Sequence, residues 1–374
     1  MTDNPLVRLN RLGQSVWYDN IRRGLLQSGG LERMVRTGEV RGITSNPAIF
    51  EQAIGRTDEY DRALRSLSGG GRSAEQAYEV LALEDVRAAA DILRPVFAES
   101  GGADGFVSLE VSPALAEDAD TTLREAERLW RAVDRPNLMI KIPGTLACLN
   151  AVRLAIAGGI NVNITLLFSV ERYRKVMDAY LAGLEERAAK RLPLDGVSSV
   201  ASFFVSRVDT LIDGLLEEAA SVDPSRKESC LALRGRAAIA NTRLAYQEFL
   251  AALQEDRFRS LLARGARIQR PLWASTSTKN PAYPDTYYVE SLVARNSINT
   301  MPPVTIEAYR DHGNPSVRID ESLADARALT ASLAALGISL PEATDRLEEE
   351  GILAFQRSYD SMLKVIRAKL IPSG

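Results

Sequence analysis

The stretch Leu138-Met139-Ile140-Lys141-Ile142-Pro143 reads as a short strand with both faces apolar, interrupted by one lysine. Side chains alternate along a strand, so residues 138, 140 and 142 form one row and leave Met139 and Lys141 on the other. Pro143 has no N–H to give to a ladder, which ends the strand there. Strands apolar on both faces belong to parallel sheets covered by helices. The same kind of run recurs at Ser15–Asp19, Val40–Ser45, Gly105–Val111, Ile160–Leu166, Val197–Val205, Pro271–Ala274 and, more weakly, Asn296–Met301, each followed by helical sequence. Eight strands alternating with helices predict an α/β chain folded as one (β/α)8 TIM barrel spanning residues 1–374. At roughly 47 residues per unit the chain is generous for that fold, which leaves room for insertions.

The helices are legible from spacing. Leu123, Ala126, Trp130 and Val133 recur at three- and four-residue steps, as do Tyr173, Met177, Tyr180, Leu181 and Leu184 after a capping Ser169. Two connections are too long for one helix and read as helical insertions, at about 51–103 and 208–270. The first places a linker at Ser68-Gly69-Gly70-Gly71 and a helix from Ala74 that Pro95 should close. From Ser322 to about residue 370 the tail is helical, with an apolar stripe Ile352, Phe355, Tyr359, Met362, Ile366 and Leu370 that fits packing on the barrel or a dimer interface.

Composition narrows the chemistry. Among 374 residues, 46 Lys+Arg against 49 Asp+Glu give a net charge of −3, without the positive excess that nucleic acid or a polybasic membrane anchor demands. Met1-Thr2-Asp3-Asn4-Pro5 opens no signal peptide and no window approaches a membrane span, so a cytoplasmic chain is expected. Two cysteines, Cys148 and Cys230, make neither a disulfide framework nor a zinc site. With one histidine, His312, a multi-histidine metal site is excluded, and catalysis must run on carboxylates, lysine, hydroxyls and amides.

Lys141 thus lies at the carboxyl end of a barrel strand, the face where this fold builds active sites. Desolvation disfavours a charged lysine, and a neutral lysine attacks carbonyls; the bland alternative is a lysine paired with a carboxylate. The same parity turns Trp17 and Asp19, Thr44 and Asn46, Ser108 and Glu110, and Asn163 and Thr165 inward. Polar groups at five strand ends are poor core material, because each buried one needs a partner. A lysine with carboxylates to move protons describes imine chemistry on a ketone or aldehyde, where the protonated imine stabilises a neighbouring carbanion. Arg207, Ser275, Thr278 and Lys279 supply charge and hydroxyls where many barrels hold phosphate.

Four segments carry a family resemblance in order. They are Gly42-Ile43-Thr44-Ser45-Asn46-Pro47, Leu138 through Thr145, Asn161 through Ser169, and Trp273-Ala274-Ser275-Thr276-Ser277-Thr278-Lys279-Asn280-Pro281. The chain resembles the transaldolases, in particular their longer bacterial subgroup. The resemblance implies transfer of a dihydroxyacetone unit from a ketose phosphate (sedoheptulose 7-phosphate or fructose 6-phosphate) to an aldose phosphate in the pentose phosphate pathway, without a cofactor or metal. It implies Lys141 as the Schiff-base nucleophile, Asp19 as the group taking the C4 hydroxyl proton, and Glu110 with Thr165 holding the water of imine formation and hydrolysis. Asn46, Asn163 and Ser202 would bind the hydroxyls, and Arg207 and Ser275 the phosphate, with Lys279 in place of a family arginine. The segment Leu146-Ala147-Cys148-Leu149-Asn150, Ala48 and Ser277 depart from the family pattern. Sugar phosphates are the expected partners, with no nucleic acid or membrane, and the chain is expected as a monomer or homodimer.

Other readings stay open here: an aldolase of the same superfamily releasing free dihydroxyacetone, a pyridoxal-phosphate enzyme, and a barrel that binds sugar phosphates without turnover. Trp17 either stacks on substrate or fills the barrel. His312 reads as a surface loop residue, Cys148 as a small buried side chain, and Asn163-Ile164-Thr165 as a strand rather than a glycosylation site.

Overall fold

The structure, a computed structural model, describes residues 4–68, 71–321 and 323–370. Eight parallel strands close in sequence order into a barrel. They are β1 (Gln14–Asp19), β2 (Gly42–Thr44), β3 (Val107–Glu110), β4 (Leu138–Pro143), β5 (Val162–Leu167), β6 (Ser199–Phe204), β7 (Arg270–Ala274) and β8 (Ser297–Met301). All eight fall within a few residues of the segments read from sequence, the ends trimmed where the chain turns outward to its helix. Closure pairs β1 with β8 through five register partners, from Gln14–Ser297 to Tyr18–Met301, and leaves no strand edge exposed.

Register explains why the inward polar residues share layers. Glu110 pairs with Lys141, and Lys141 with Asn163, so one row across β3, β4 and β5 carries a carboxylate, an amine and an amide on the same face. Asp19 pairs with Thr44 across β1 and β2. In β5 the register slips between Ile164 and Leu167, and Leu166 takes a positive φ of 62°. Such a bulge re-aims side chains at a barrel rim, and here it directly follows Thr165.

The lower half of the barrel is a packed core. Trp17 is fully buried and donates from Nε1 to Asp104 Oδ1 at 2.8 Å. Asp104 also accepts from Ser15 Oγ at 2.6 Å and Arg41 Nε at 3.0 Å. Trp17 therefore fills the barrel instead of stacking on a ligand.

Both long connections contain the barrel's own crossover helices, because a parallel pair cannot be joined without one. Between β2 and β3 this is Ala74–Glu99, which packs on β3; it begins at a Ser73–Gln76 capping box and runs through Pro95 instead of ending there. Pro95 lies one turn before the helix ends at Glu99, where the ring costs one backbone bond and neighbouring contacts carry the rest. Of the expected glycine linker, Gly69 and Gly70 lie outside the described residues, as do Met1–Asp3 and Ser322. The segment after β6 folds as Ser206–Val222, Lys227–Leu233, Ala237–Ala252 and Asp256–Leu262. Ser169 caps the helix Val170–Ala189, accepting from Arg172 N at 3.0 Å. His312 is the last residue of the helix Pro303–His312 and not a loop residue, its ring 2.9 Å from Asp285 Oδ1. Cys148 is buried, as expected of a small apolar side chain.

The tail is Leu323–Ala335 and a 31-residue helix Leu340–Leu370. The long helix lies back across the carboxyl end of the barrel, against Pro47–Arg56. Lys369 anchors it to Asp61 at 2.6 Å and to the Ile54 carbonyl at 2.7 Å, and Arg172 to Glu348 at 3.3 Å. Among the described residues no single helix is long and apolar enough to cross a membrane.

Gly42 tests the packing argument. A Cβ there would stand 2.5 Å from the Trp17 ring, which is itself held by Asp104. Gly42→Ala is expected to cost about 1–3 kcal/mol by overpacking, read as a lowered urea midpoint with an unchanged far-ultraviolet spectrum.

Candidate active site

A cavity of about 240 Å³ opens at the carboxyl end of the barrel. Its wall brings together Asp19, Asn46, Lys141, Thr165, Ser202, Arg207, Ser275 and Lys279, residues from six strands or the turns just after them. Glu110 and Asn163, also expected in the site, lie behind this wall.

Lys141 projects from β4 at its last register pair with β3 and is buried. Its Nζ is 3.5 Å from Glu110 Oε2 and donates to the Ser45 carbonyl at 3.1 Å. The Phe355 ring from the C-terminal helix sits 5.6 Å from Nζ, a distance at which the ring face attracts a cation. Glu110 is held up to about 7, chiefly by burial, with the Lys141 charge opposing and Asp19 adding to the rise. Burial also raises Asp19, against Lys141 and a hydrogen bond from Thr44.

Asp19 Oδ1 accepts from Thr44 Oγ1 at 2.6 Å, and Thr44 in turn meets Thr300 Oγ1 at 2.7 Å. This chain across β1, β2 and β8 fixes the carboxylate with one oxygen occupied. Asn163 donates to Ser108 Oγ at 3.0 Å and accepts from Ser202 Oγ at 2.7 Å, so its amide orientation is set and Ser202 is held at the wall. Apart from the Lys141 ion pair, Glu110 Oε2 has no hydrogen-bond partner, and neither has buried Thr165 Oγ1. Buried oxygens of this kind are made to be completed by water or by a substrate hydroxyl. Asn46 caps the helix Pro47–Arg56, accepting from Ile49 N at 3.1 Å, which fixes its side chain at the cavity wall.

The far end of the cavity is cationic. Arg207, in the first turn of Ser206–Val222, stacks at 5.4 Å on Phe204. Burial lowers its pKa, with Glu350 opposing. Lys279 donates to Ser277 Oγ at 2.6 Å, and desolvation, then the Arg207 charge, lowers its pKa. Two cations near enough for Arg207 to lower the Lys279 pKa, with Glu350 the acidic group acting on Arg207, form a candidate anion site. Ser275 joins them with a positive φ of 57°, its Oγ 3.1 Å from Ser206 Oγ and its carbonyl accepting from Ser206 N at 3.0 Å. The larger Ser277 is buried and accommodated as the hydrogen-bond acceptor for Lys279.

Sequence reasoning passed over several wall residues. Thr300 shares inward parity with recognised positions and was legible in principle. Ala354, Phe355 and Ser358 reach the site from a helix some 190 residues beyond β5, and no local pattern announces that contact. A larger cavity of about 660 Å³, lined by Tyr78, Tyr359, Leu129 and the β3 end, touches Glu110 but not Lys141; the convergent chemistry lies in the smaller one.

The raised Glu110 has a stability consequence. Its folded pKa exceeds the unfolded value of about 4.3, so its contribution is complete below that pH and is lost as pH rises through about 7. Glu110→Gln is therefore expected to gain about 3 kcal/mol relative to the native chain between roughly pH 4 and pH 8. Urea unfolding at each pH reads this difference; a flat one contradicts the assigned ionisation.

Residues 16–366 match the family model described as Transaldolase/Fructose-6-phosphate aldolase. Transaldolase 1 of Streptomyces coelicolor is 47% identical over 376 residues, covering 100% of this chain and 97% of that protein. The transaldolase of Mycolicibacterium smegmatis is 46% identical over 372 residues, 99% of each chain, and that of Trichodesmium erythraeum is 44% identical over 374 residues, 99% of this chain and 98% of that one. A match over residues 16–366 and relatives 44–47% identical across nearly their whole length show that the chain belongs to the transaldolase/fructose-6-phosphate aldolase family.

Proposed function

We infer that the chain is a transaldolase, moving a dihydroxyacetone unit between sugar phosphates through an imine on Lys141. The observation that carries this reading is Lys141 Nζ, buried 3.5 Å from Glu110, in a cavity whose other end holds Arg207 and Lys279. Lys141 adds to the C2 carbonyl of fructose 6-phosphate or sedoheptulose 7-phosphate, and the carbinolamine loses water to give the imine. Glu110, near 7, takes and returns protons in this step, with Thr165 Oγ1 helping to hold the water. Asp19 accepts the C4 hydroxyl proton as the C3–C4 bond breaks. The electron pair passes into the imine as an enamine, and the aldose phosphate leaves. The enamine then attacks the aldehyde of glyceraldehyde 3-phosphate or erythrose 4-phosphate, and hydrolysis of the new imine frees Lys141.

Asn46, Ser202 and, through Ser202, Asn163 orient the hydroxyls of the dihydroxyacetone unit. Arg207, Ser275 and Lys279 hold the phosphate, Lys279 as a point charge and Arg207 as a fork. Retention of the three-carbon enamine for an acceptor, in contrast to release as free dihydroxyacetone, is supported by the buried Glu110, which the resemblance places in the transferase branch. The two free cysteines, both buried, fit a reducing cytoplasm, and we read the enzyme as working there as a monomer or homodimer.

Borohydride reduction with fructose 6-phosphate should leave a dihydroxyacetone-sized adduct on Lys141 by peptide mapping. Lys141→Arg should lose the adduct and at least about 10³-fold in kcat with folding intact; normal turnover in that variant would sink the assignment. Omitting the aldose acceptor should stop net conversion of fructose 6-phosphate, whereas steady release of dihydroxyacetone would favour the aldolase reading.

A further inference from the structure

The helix Ser206–Val222 carries Arg207 in its first turn and, one turn apart beyond it, two buried carboxylates, Asp209 and Asp213. Each divides its two oxygens in the same way. Asp209 Oδ1 accepts from Ala238 N at 2.7 Å and Oδ2 from Tyr288 OH at 2.9 Å. Asp213 Oδ1 accepts from Gly235 N at 2.8 Å and Oδ2 from Tyr283 OH at 2.7 Å. One oxygen of each thus grips the helical segment inserted after β6, and the other grips the chain that follows Lys279. Tyr287 OH closes the set by donating to the Gly235 carbonyl at 2.9 Å.

Gly235 is where these parts meet. Its φ is +70°, and a Cβ there would lie 2.6 Å from Tyr283 Cζ, so only glycine lets the turn lie under the tyrosine ring. The loop that the tyrosines hold is itself stiff. Thr278 Oγ1 donates to the Pro284 carbonyl at 2.8 Å, and Tyr283 N to the Asn280 carbonyl at 3.1 Å. Lys279 sits between these ties, and among the described residues its own ammonium bonds only within the loop, to Ser277 Oγ. Burying two carboxylates is expensive, and an apolar contact would hold two helices together as well. Fixed distances and directions are what hydrogen-bonded carboxylates add.

We propose that Asp209 and Asp213, with Tyr283, Tyr288 and the Gly235 turn, form a clasp that positions Lys279 opposite Arg207 on the substrate phosphate. The inserted helices Lys227–Leu233 and Ala237–Ala252 then serve phosphate binding, although none of their residues lines the cavity. Tyr283 and Gly235 are positioning residues, and the proposal rests on the reading of Arg207 and Lys279 as the phosphate site.

The test is steady-state kinetics of Tyr283→Phe and Gly235→Ala, with fructose 6-phosphate and with unphosphorylated fructose as donor, and with inorganic phosphate as inhibitor. Both variants act on the same loop from opposite sides. Each is expected to raise KM for fructose 6-phosphate and the inhibition constant of phosphate by about tenfold, the equivalent of one lost hydrogen bond to a charged group. The value of kcat should stay within about twofold and the reaction of fructose should not change. Asp213→Asn, which keeps an acceptor for Gly235 N and a polar atom facing Tyr283, should retain most of the native affinity. Arg207→Ala is the control. If it weakens phosphate inhibition while the folded Tyr283→Phe and Gly235→Ala proteins do not, the clasp is overturned and the phosphate site stands. If it too leaves phosphate inhibition unchanged, the phosphate site falls and the clasp with it. Equal losses with fructose and fructose 6-phosphate would reduce the clasp to a structural tie and overturn it as well.

Discussion

The approach of Lys141 to Glu110, an amine and a carboxylate 3.5 Å apart and out of water, is the contact around which the rest of the molecule is arranged. Neither group is tolerated in a barrel interior alone, since an unpaired buried charge is among the costliest features a fold can carry. Register solves the problem cheaply: parallel partners on β3 and β4 face the same way, so the pair forms as soon as the strands align. The remaining demands are met by the Ser45 carbonyl under Nζ and the Phe355 ring above it. Burial leaves Glu110 near 7, where it can exchange protons at neutral pH, and raises Asp19 above the ordinary carboxylate value.

Two structural tiers support that contact. Beneath it, Trp17, Asp104 and Arg41 plug the amino-terminal half of the barrel with a satisfied polar network, leaving chemistry to the other end. Above it, the C-terminal helix contributes Phe355 and is pinned at Glu348 and Lys369, near its two ends. Burial raises Glu348 to about 7 although Arg172 stands beside it. The helix closes over the cavity as a wall, so the site depends on residues drawn from nearly the whole chain length. Polarity is divided in the same way, with carboxylates and hydroxyls around Lys141 and the cations Arg207 and Lys279 elsewhere on the wall.

Much of this was readable beforehand, for a reason that lies in strand geometry. A period of two converts position into facing, so Lys141, Glu110, Asp19, Asn163 and Thr165 could be placed inside a barrel before any fold was seen. Pro143 and Ser169 marked their element ends because each has a single local effect, a missing N–H or a cap. Pro95 misled because a long helix already secured by packing on β3 absorbs the bond lost one turn before its end. His312 misled because the turn-forming residues Gly313-Asn314-Pro315 beside it end a helix as readily as they make a loop.

What the sequence by itself determined is therefore what short-range rules govern: eight strands, their inward rows, and a lysine with carboxylates at one end. Tertiary structure alone decided which distant groups complete the site. Phe355 over Lys141, Thr300 behind Asp19 through Thr44, Asn163 behind Ser202, and the inserted turn at Gly235 beneath Tyr283 are contacts between segments far apart in the chain. Their partners are chosen by closure of the barrel and by the path of the helices over it. Neither composition nor periodicity carries that information, because many apolar stripes and many tyrosines would satisfy the same local pattern.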